Sequence, residues 1–247
     1  SIERASDSTF VVPVVVSEGS NELGIPMRED GFAMVSSAGQ MLWTVSMHDL
    51  LVKNGYQGLV YGVGEFELDR YHLNDVQPIP GYPNEFLVSI RNLSSIARIN
   101  VKTRTVLWLK TGPWVNQHDV NLLADGSVSV FGNNLVRATG KFLAPGYSQI
   151  YLYDPATGDV TTPYSKVLGD TEMHTKFEGR GTVLGNGDVF VEETNRDRLL
   201  RLSTDKVRWE YVNTVTESTS GALHWSRYLK KNEVSQQLMG RLKCDMH

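Results

Sequence analysis

The chain has 247 residues, of which 40% are hydrophobic and 21% charged, and its formal net charge is −4. These values are ordinary for a globular protein, and a chain of this length can bury the core of one domain. The acidic balance argues against a nucleic acid as partner, and the sequence lacks the roughly 18 consecutive apolar residues of a membrane span. Cys244 is the only cysteine, which excludes an internal disulfide and a cysteine-based zinc cluster.

Short runs rich in β-forming residues recur between turn signals, which is typical of strands. The runs cover 86–90, 127–131, 149–153, 181–184, 189–193 and 199–202. Turns rich in Asn, Asp and Gly predict hairpin corners at 83–85, 124–127 and 185–188. The chain is therefore predicted to be all-β.

A second repeated unit is a charged or glycine turn followed by a strand. Three copies end in a tryptophan, at Trp43, Trp108 and Trp209, and 154–160 is a fourth copy without one. Four copies of one unit favour a β-propeller of four-stranded blades, with an irregular β-sandwich as the alternative.

The spacing between the copies is uneven, which predicts two long insertions at 55–70 and 134–146. Long loops on a rigid scaffold often carry function. The stretch 227–242 has apolar positions at helical spacing and predicts a short amphipathic helix packed against the propeller edge. We expect one domain over 1–247, with four to five blades. Either the N-terminal strands close the ring or one or more N-terminal blades lie outside this chain.

Three segments place polar residues where a buried strand would carry apolar ones: 71–76, 89–93 and 115–120. In a propeller the innermost strand of each blade lines the central channel, so polar side chains on successive inner strands converge. Two histidines and an arginine in one pocket would form an anion site.

These segments carry a specific resemblance. Four motifs follow one another in the order found in the arylsulfotransferase family: His72-Leu73-Asn74, Ser89-Ile90-Arg91, Gln117-His118 and Phe131-Gly132-Asn133. The resemblance covers 42–212. It implies a six-bladed β-propeller that moves a sulfuryl group between phenols without an activated nucleotide donor. It also implies small phenols and aryl sulfates as partners, and a bacterial protein that is periplasmic or exported.

The resemblance also implies roles for individual residues. His118 corresponds to the nucleophile that becomes a sulfohistidine, and His72 to the acid/base histidine that protonates the leaving phenolate and deprotonates the acceptor. Arg91 corresponds to the arginine that binds the sulfuryl oxygens, and Asn74 would add a neutral donor near His72. A neutral imidazole suits the first role because its ordinary pKa of about 6.5 leaves one nitrogen unprotonated at neutral pH.

Each assignment has a structural alternative. A buried histidine is commonly satisfied by backbone carbonyls, Arg91 could pair with Asp75 or Asp119, and Asn74 could end a strand. Asp119 follows His118 and should point to the opposite face, which favours an ion pair. No metal or cofactor is expected, because the histidines lack the paired helical spacing of zinc proteases and no acidic loop resembles a calcium site.

Some residues depart from the family pattern. Gly132 stands where an aspartate is usual, and Gln149 stands where an arginine is common. The family has a further active-site histidine earlier in its chain, and no residue before Leu42 matches it. His48 falls in the helical insertion and receives no role, and His174 and His224 are expected to be structural.

The leading function is an aryl sulfate sulfotransferase. The alternative is a non-catalytic, anion-binding or scaffolding propeller that has lost turnover. A third hypothesis is a hydrolase that passes the sulfuryl group to water.

Overall fold

The computed structural model describes residues 2–138, 141–229 and 234. Most of the described strands form four antiparallel sheets of four strands each. The first sheet contains β1 (Glu3–Ser6), β2 (Thr9–Ser20), β3 (Pro26–Ser36) and β4 (Met41–Ser46). The second contains β5 (Leu73–Ile79), β6 (Tyr82–Ile90), β7 (Ser95–Asn100) and β8 (Thr105–Thr111).

The third sheet begins with β9 (His118–Leu122) and β10 (Val128–Gly132). After a separate hairpin of β11 (Val136–Ala138) and β12 (Lys141–Leu143), it continues with β13 (Gln149–Tyr153) and β14 (Val160–Thr161). The fourth contains β15 (Arg180–Val183), β16 (Val189–Glu193), β17 (Arg198–Leu202) and β18 (Val207–Val212). The short strands β19 (Thr214–Thr216) and β20 (Thr219–Ser220) pair with each other.

The described helices are short: α1 (Met47–Lys53), α2 (Gln57–Tyr61) and α3 (Ser165–Asp170). Single 3-10 turns lie at Arg91–Leu93 and Thr194–Arg196. Among the described residues, no helix is long and apolar enough to cross a membrane.

The predicted all-β chain of antiparallel four-stranded units is confirmed. All six predicted strand runs fall on strands, and the corners at 124–127 and 185–188 are turns. The corner predicted at 83–85 is wrong, because these residues lie inside β6. The turn is at Pro80-Gly81, where Gly81 adopts a φ of +83° that favours glycine.

The repeated turn-and-strand unit marks the last strand of each sheet. The four copies become β4, β8, β14 and β18, and all four are edge strands. The tryptophans pack on aromatic residues of the sheets, such as Trp43 on Phe32 and Trp108 on Tyr153. Most of the helix predicted at 227–242 lies outside the described residues, and the described residues 227–229 are not helical.

The cores lie between consecutive sheets. In β6, Phe86 and Val88 belong to the core shared with the first sheet, whereas Leu87 between them faces the third. In β10, Val130 faces the second sheet and Phe131 the fourth. Because alternate side chains enter opposite cores, these strands are apolar on both faces and read as continuous hydrophobic runs.

Aspartate carboxylates link each sheet to the first strand of the next. Asp30 accepts from the backbone N–H of Leu73 at 3.2 Å. In the same way, Asp75 accepts from Val120 at 2.9 Å, and Asp119 accepts from Gly181 at 2.9 Å. All three carboxylates are buried. These bonds hold β5, β9 and β15 side by side, which brings the polar segments of the sequence together.

Candidate active site

Two cavities open beside the first strands of the second, third and fourth sheets. The larger, of about 660 Å³, is lined by His72, Arg91 and His118 among others. The smaller, of about 220 Å³, shares both histidines and adds Asn74 and Arg180. The structure therefore brings the two predicted histidines and the arginine to one cavity, and Asn74 to its neighbour.

His118 begins β9, and the side chain of Asn133 fixes its orientation. Nδ1 of His118 lies 2.7 Å from Oδ1 of Asn133. The amide nitrogen of Asn133 donates to the backbone carbonyls of Thr175 (3.0 Å) and Glu178 (2.8 Å), so its oxygen must face the imidazole. Nδ1 of His118 consequently carries the proton, and Nε2 keeps the lone pair.

The surroundings keep His118 neutral. Burial is the main cause that lowers the pKa of His118 to about 3, and the charges of Arg91 and His72 contribute to the same shift. The hydrogen bond with Asn133 acts in the opposite direction without reversing the shift. At neutral pH the predominant form of His118 is therefore the neutral imidazole, with Nε2 unprotonated.

Asp119 locks the backbone next to His118. Its φ of +44° is a left-handed conformation that is unfavourable for a non-glycine residue. Oδ1 of Asp119 accepts from Nε and Nη2 of Arg180, both at 3.0 Å, and Oδ2 accepts from the N–H of Gly181. The ion pair expected for Asp119 therefore exists, and its partner is Arg180. These bonds compensate the strain and hold His118 in place.

His72 lies one residue before β5, with a left-handed φ of +48°. Its Nδ1 is 2.7 Å from Oδ2 of Asp69. A carboxylate at this distance accepts a hydrogen bond from the Nδ1–H group. Nε2 is therefore the nitrogen that can exchange a proton with a bound molecule. His72 is thus satisfied by a carboxylate, and His118 by an amide oxygen, rather than by backbone carbonyls.

Asp69 is itself held by a cation. Nη2 of Arg28 lies 2.5 Å from the other oxygen of Asp69, and the same guanidinium binds Asp30. Burial opposes ionisation of Asp69, but the hydrogen bond and charge of His72, with the charges of Arg28 and Arg91, lower the pKa of Asp69. Asp69 is therefore ionised at neutral pH and orients His72.

Arg91 opens the 3-10 turn after β6 and is partly buried. Nη1 donates to Oδ1 of Asn92 at 2.8 Å, and Asn92 donates in turn to the backbone carbonyl of Asp69 at 2.6 Å. The arginine is thereby tied to the loop that carries Asp69 and His72. Its guanidinium offers a planar set of donors to an anion in the larger cavity.

Asn74 lies in β5 and donates to the backbone carbonyl of Gln117 at 2.8 Å. Its amide thus links β5 to the residue that precedes His118. Asn74 lines the smaller cavity with both histidines but is not among the residues that line the larger one.

Comparison with known proteins decides the family. The model described as Arylsulfotransferase (ASST) matches residues 13–214. The chain belongs to the arylsulfotransferase family. The match extends further toward the N-terminus than the four motifs do. No curated protein matches the chain.

Solved structures with similar folds have low sequence identity. The WD40 β-propeller domain of Doa1 is 11% identical, with a TM-score of 0.45 over 82% of this chain and 49% of that one. PorZ, a surface component of the type-IX secretion system of Porphyromonas gingivalis, is 12% identical, with a TM-score of 0.47 over 81% of this chain and 24% of that one. The chain thus spans about half or less of the length of these structures.

The two departures from the arylsulfotransferase pattern lie together in the third sheet, where Gly132 pairs with Gln149. A Cβ atom at Gly132 would lie 2.5 Å from Cε2 of Tyr151, so an aspartate would require this ring to move. Oε1 of Gln149 accepts from the hydroxyl of Ser165 on α3 at 3.0 Å. Neither residue is among the described residues that line the two cavities.

The two remaining histidines with described side-chain contacts have different surroundings. His48 is buried in α1, with Nδ1 2.5 Å from the hydroxyl of Tyr71 and Nε2 2.8 Å from Glu22. It holds α1 to the tip of the first sheet and does not line either cavity. His224 is half exposed and pairs with Glu178 at the cavity.

Sequence reasoning missed the residues that orient the histidines. Asp69 and Arg28 belong to no quoted motif, and Arg180 lies just before the run 181–184, which predicted only a strand. Asn133 stood in the Phe131-Gly132-Asn133 motif without a role. The two predicted insertions do contribute to the larger cavity, with Glu65, Asp69 and Arg70 from one and Leu135 and Phe142 from the other.

Proposed function

We propose that this arylsulfotransferase moves a sulfuryl group from an aryl sulfate to a phenol through a sulfohistidine at His118. The observation that carries the proposal is the hydrogen bond from Nδ1 of His118 to Asn133. It leaves a lone pair on Nε2 of a neutral imidazole in a cavity that also contains Arg91 and His72.

In the first half-reaction, Nε2 of His118 attacks the sulfur of the aryl sulfate. The new N–S bond forms as the S–O bond to the aryl group breaks, and its electron pair leaves on the phenol oxygen. His72, protonated on Nε2, donates a proton to that oxygen. Oδ1 of Asn133 still accepts a hydrogen bond from the Nδ1–H group of His118, and this bond stabilises the positive charge on the sulfurylated ring.

In the second half-reaction, a phenol takes the place of the released product. His72 removes the phenol proton, and the phenolate oxygen attacks the sulfur while the N–S bond breaks. The electron pair returns to Nε2 of His118. The net change is one sulfuryl group moved from one phenol oxygen to another, with no proton gained or lost.

Asp69 and Arg91 support these steps electrostatically. Asp69, held ionised by Arg28, stabilises His72 when that ring is protonated. Arg91 provides a fork of N–H donors for the sulfuryl oxygens, whose negative charge is shared during transfer. Both contributions are arranged before the substrate binds.

Incubation with 4-nitrophenyl sulfate, with and without an acceptor phenol, tests the proposal. Release of nitrophenol that depends on the acceptor, with a new aryl sulfate as product, supports a transferase. Continued release without an acceptor, beyond one equivalent of the enzyme, would indicate a hydrolase. The absence of any release, together with measurable binding of the aryl sulfate, would favour the non-catalytic binder.

We further propose that the four sheets are blades of one β-propeller domain and that the protein is periplasmic or exported. The first proposal is supported by first strands that lie side by side and by repeated edge strands. The second is supported by the resemblance of the motifs alone, and fractionation of the source cells tests it.

A further inference from the structure

We propose that Asn195, in the 3-10 turn after β16, is a positioning residue for His118, on which it acts through the loop 175–178 and Asn133. Asn195 is not among the described residues that line the two cavities. The inference rests on the proposed function, which it extends to a residue of the fourth sheet that has no part in the chemical steps.

The side-chain oxygen of Asn195 holds the loop 175–178. Oδ1 of Asn195 accepts from the backbone N–H groups of Lys176 at 2.6 Å and Phe177 at 3.0 Å. The hydroxyl of Thr175 lies 3.0 Å from the same oxygen and accepts from the backbone N–H of Asn195 at 3.3 Å. One side chain therefore binds three consecutive residues of the loop, and its truncation would remove the acceptor of two backbone N–H groups.

The same loop holds the amide that orients His118. Nδ2 of Asn133 donates to the backbone carbonyls of Thr175 and Glu178, which lie at the two ends of the loop. Both bonds can form together only while the loop keeps its curvature. Glu178 adopts a left-handed φ of +58°, and a non-glycine residue keeps such a conformation only where surrounding contacts compensate its cost. The bonds to Asn195 provide part of that compensation.

The two ends of the loop are packed against the third sheet, whereas its middle is not. The backbone N–H of Thr175 donates to Oγ of Ser148 at 3.1 Å, and Thr175 is buried. At the other end, a Cβ atom at Gly179 would lie 2.5 Å from Cε1 of Phe131, so the backbone lies directly on that ring. Lys176 and Phe177 between these ends are exposed. Asn195 therefore binds the part of the loop that packing leaves free to move.

The second sheet contains an equivalent contact. Asn92 occupies the middle of the 3-10 turn after β6, as Asn195 does after β16. A left-handed residue follows each turn, Ser94 with a φ of +47° and Asp197 with a φ of +54°. Asn92 donates to the carbonyl of Asp69, in the loop before β5. In both sheets, an asparagine after the second strand thus holds the loop before the first strand, and that loop orients a histidine of the site.

Nitrogen NMR of the protein with labelled imidazoles tests the inference without substrate. The signal of His118 is the one absent from His118→Asn. The wild type should show a single neutral tautomer, with the proton on Nδ1. Asn195→Ala should show a mixture, because the released loop no longer holds the amide of Asn133. A single tautomer in Asn195→Ala would overturn the inference.

Steady-state kinetics with 4-nitrophenyl sulfate and an acceptor phenol provide the second readout. Asn195→Ala should lower kcat by about tenfold, by analogy with the loss of a residue that orients a metal ligand, and should leave KM within about twofold. A residue that only stabilised the fourth sheet would change the free energy of unfolding and leave kcat of the folded protein unchanged. Wild-type kcat in Asn195→Ala would therefore contradict the positioning role.

Three further variants control for folding and for the bonding oxygen. Asn195→Asp keeps an oxygen at the same place, so it should retain the single tautomer and kcat within about threefold. Asn186→Ala removes an asparagine of the same sheet that binds only Asp188 among the described side-chain contacts, and it should behave like the wild type. Asn195→Ser provides the same readouts if Asn195→Ala does not fold, because its shorter side chain cannot reach both N–H groups. An equal loss in Asn186→Ala would refute the specific role of Asn195.

A double variant tests whether Asn195 acts through Asn133. Once Asn133 is replaced by alanine, the loop no longer has an amide to hold. Asn133→Ala combined with Asn195→Ala should therefore have a kcat within about twofold of that of Asn133→Ala alone. A further tenfold loss in the double variant would show an independent effect and contradict the proposed route.

The two readouts distinguish failure of this inference from failure of the proposed function. A mixture of tautomers in Asn195→Ala, in a protein that transfers no sulfuryl group, would retain the positioning role and refute the sulfotransferase. Sulfuryl transfer by the wild type, with an unchanged tautomer in Asn195→Ala, would do the reverse.

Discussion

Nδ1 of His118 lies 2.7 Å from Oδ1 of Asn133, and this contact decides which imidazole nitrogen can act as a nucleophile. Two backbone carbonyls take both amide protons of Asn133, so the amide cannot rotate without losing two hydrogen bonds. A single neutral tautomer of His118 is therefore built into the fold before any substrate binds.

Asn133→Ala should lower kcat by roughly 10²-fold. The loss should be smaller than the 10⁴-fold seen when a catalytic histidine is held in the wrong tautomer, because the freed ring can still adopt the active one. Asn134→Ala removes a neighbouring amide that binds Tyr147 and Tyr151 instead, so it is the matched control and should retain kcat. Nitrogen NMR of the labelled imidazole should show one tautomer in Asn134→Ala and a mixture in Asn133→Ala. A single tautomer in this variant would refute the orienting role.

Arg91→Lys should lower turnover on the order of 10²-fold, because a lysine keeps the charge but cannot offer two parallel N–H donors to the sulfuryl oxygens. Arg98→Lys changes an arginine of the same sheet that pairs with Glu85. It should therefore behave like the wild type. Steady-state kinetics with 4-nitrophenyl sulfate measure both variants. Wild-type rates for Arg91→Lys would contradict the proposal that Arg91 binds the sulfuryl oxygens.

His72→Ala should affect donors according to the leaving phenol. Transfer from an aryl sulfate with a high-pKa phenol should slow by roughly 10²- to 10⁴-fold, whereas the first step with 4-nitrophenyl sulfate should slow much less, since that phenolate departs without a proton. Asp69→Asn should show the same pattern more weakly, because it removes the carboxylate that orients His72. Equal losses for both donors would indicate that His72 only positions the substrate.

His118 should make the protein less stable in acid. Its pKa is lowered to about 3 in the folded state, so below the unfolded value of 6.5 the unfolded chain binds a proton that the folded one excludes. The free energy of unfolding should therefore fall as the pH drops below about 6.5, by about 2 kcal/mol at pH 5 from this group. Urea unfolding between pH 7 and pH 5 should show a flatter dependence for His118→Asn than for the wild type. If the free energy of unfolding depended on pH equally in both proteins, the lowered pKa of His118 would be contradicted.

The strands were predictable because their signals are local. The apolar run of β16, bounded by the Asn186-Gly187 turn and a second turn, reads as a strand in any context. The repeated turn-and-strand unit predicted a strand at each copy, and the structure adds that all four are edge strands. The misplaced corner at 83–85 shows the limit of turn composition, since Gly81 alone has the positive φ that the hairpin uses.

The two histidines and Arg91 were identified from motifs, but the residues that control them were not. Asp69 acts only because Arg28, 41 residues earlier in the chain, reaches it. Arg180 reaches Asp119 across 61 residues. Such pairs depend on how neighbouring sheets pack, and neither periodicity nor a short motif carries that information.

The central claim is that His118 carries the sulfuryl group between two half-reactions. Protein mixed with 4-nitrophenyl sulfate and no acceptor should release nitrophenol in a burst equal to the enzyme concentration and gain the mass of one sulfuryl group. Peptide mapping under alkaline conditions should locate that group on the peptide containing Gln117-His118-Asp119. His118→Asn should fold and lose both the burst and turnover. An active enzyme without a sulfurylated intermediate, or with its label on another histidine, would contradict the assignment.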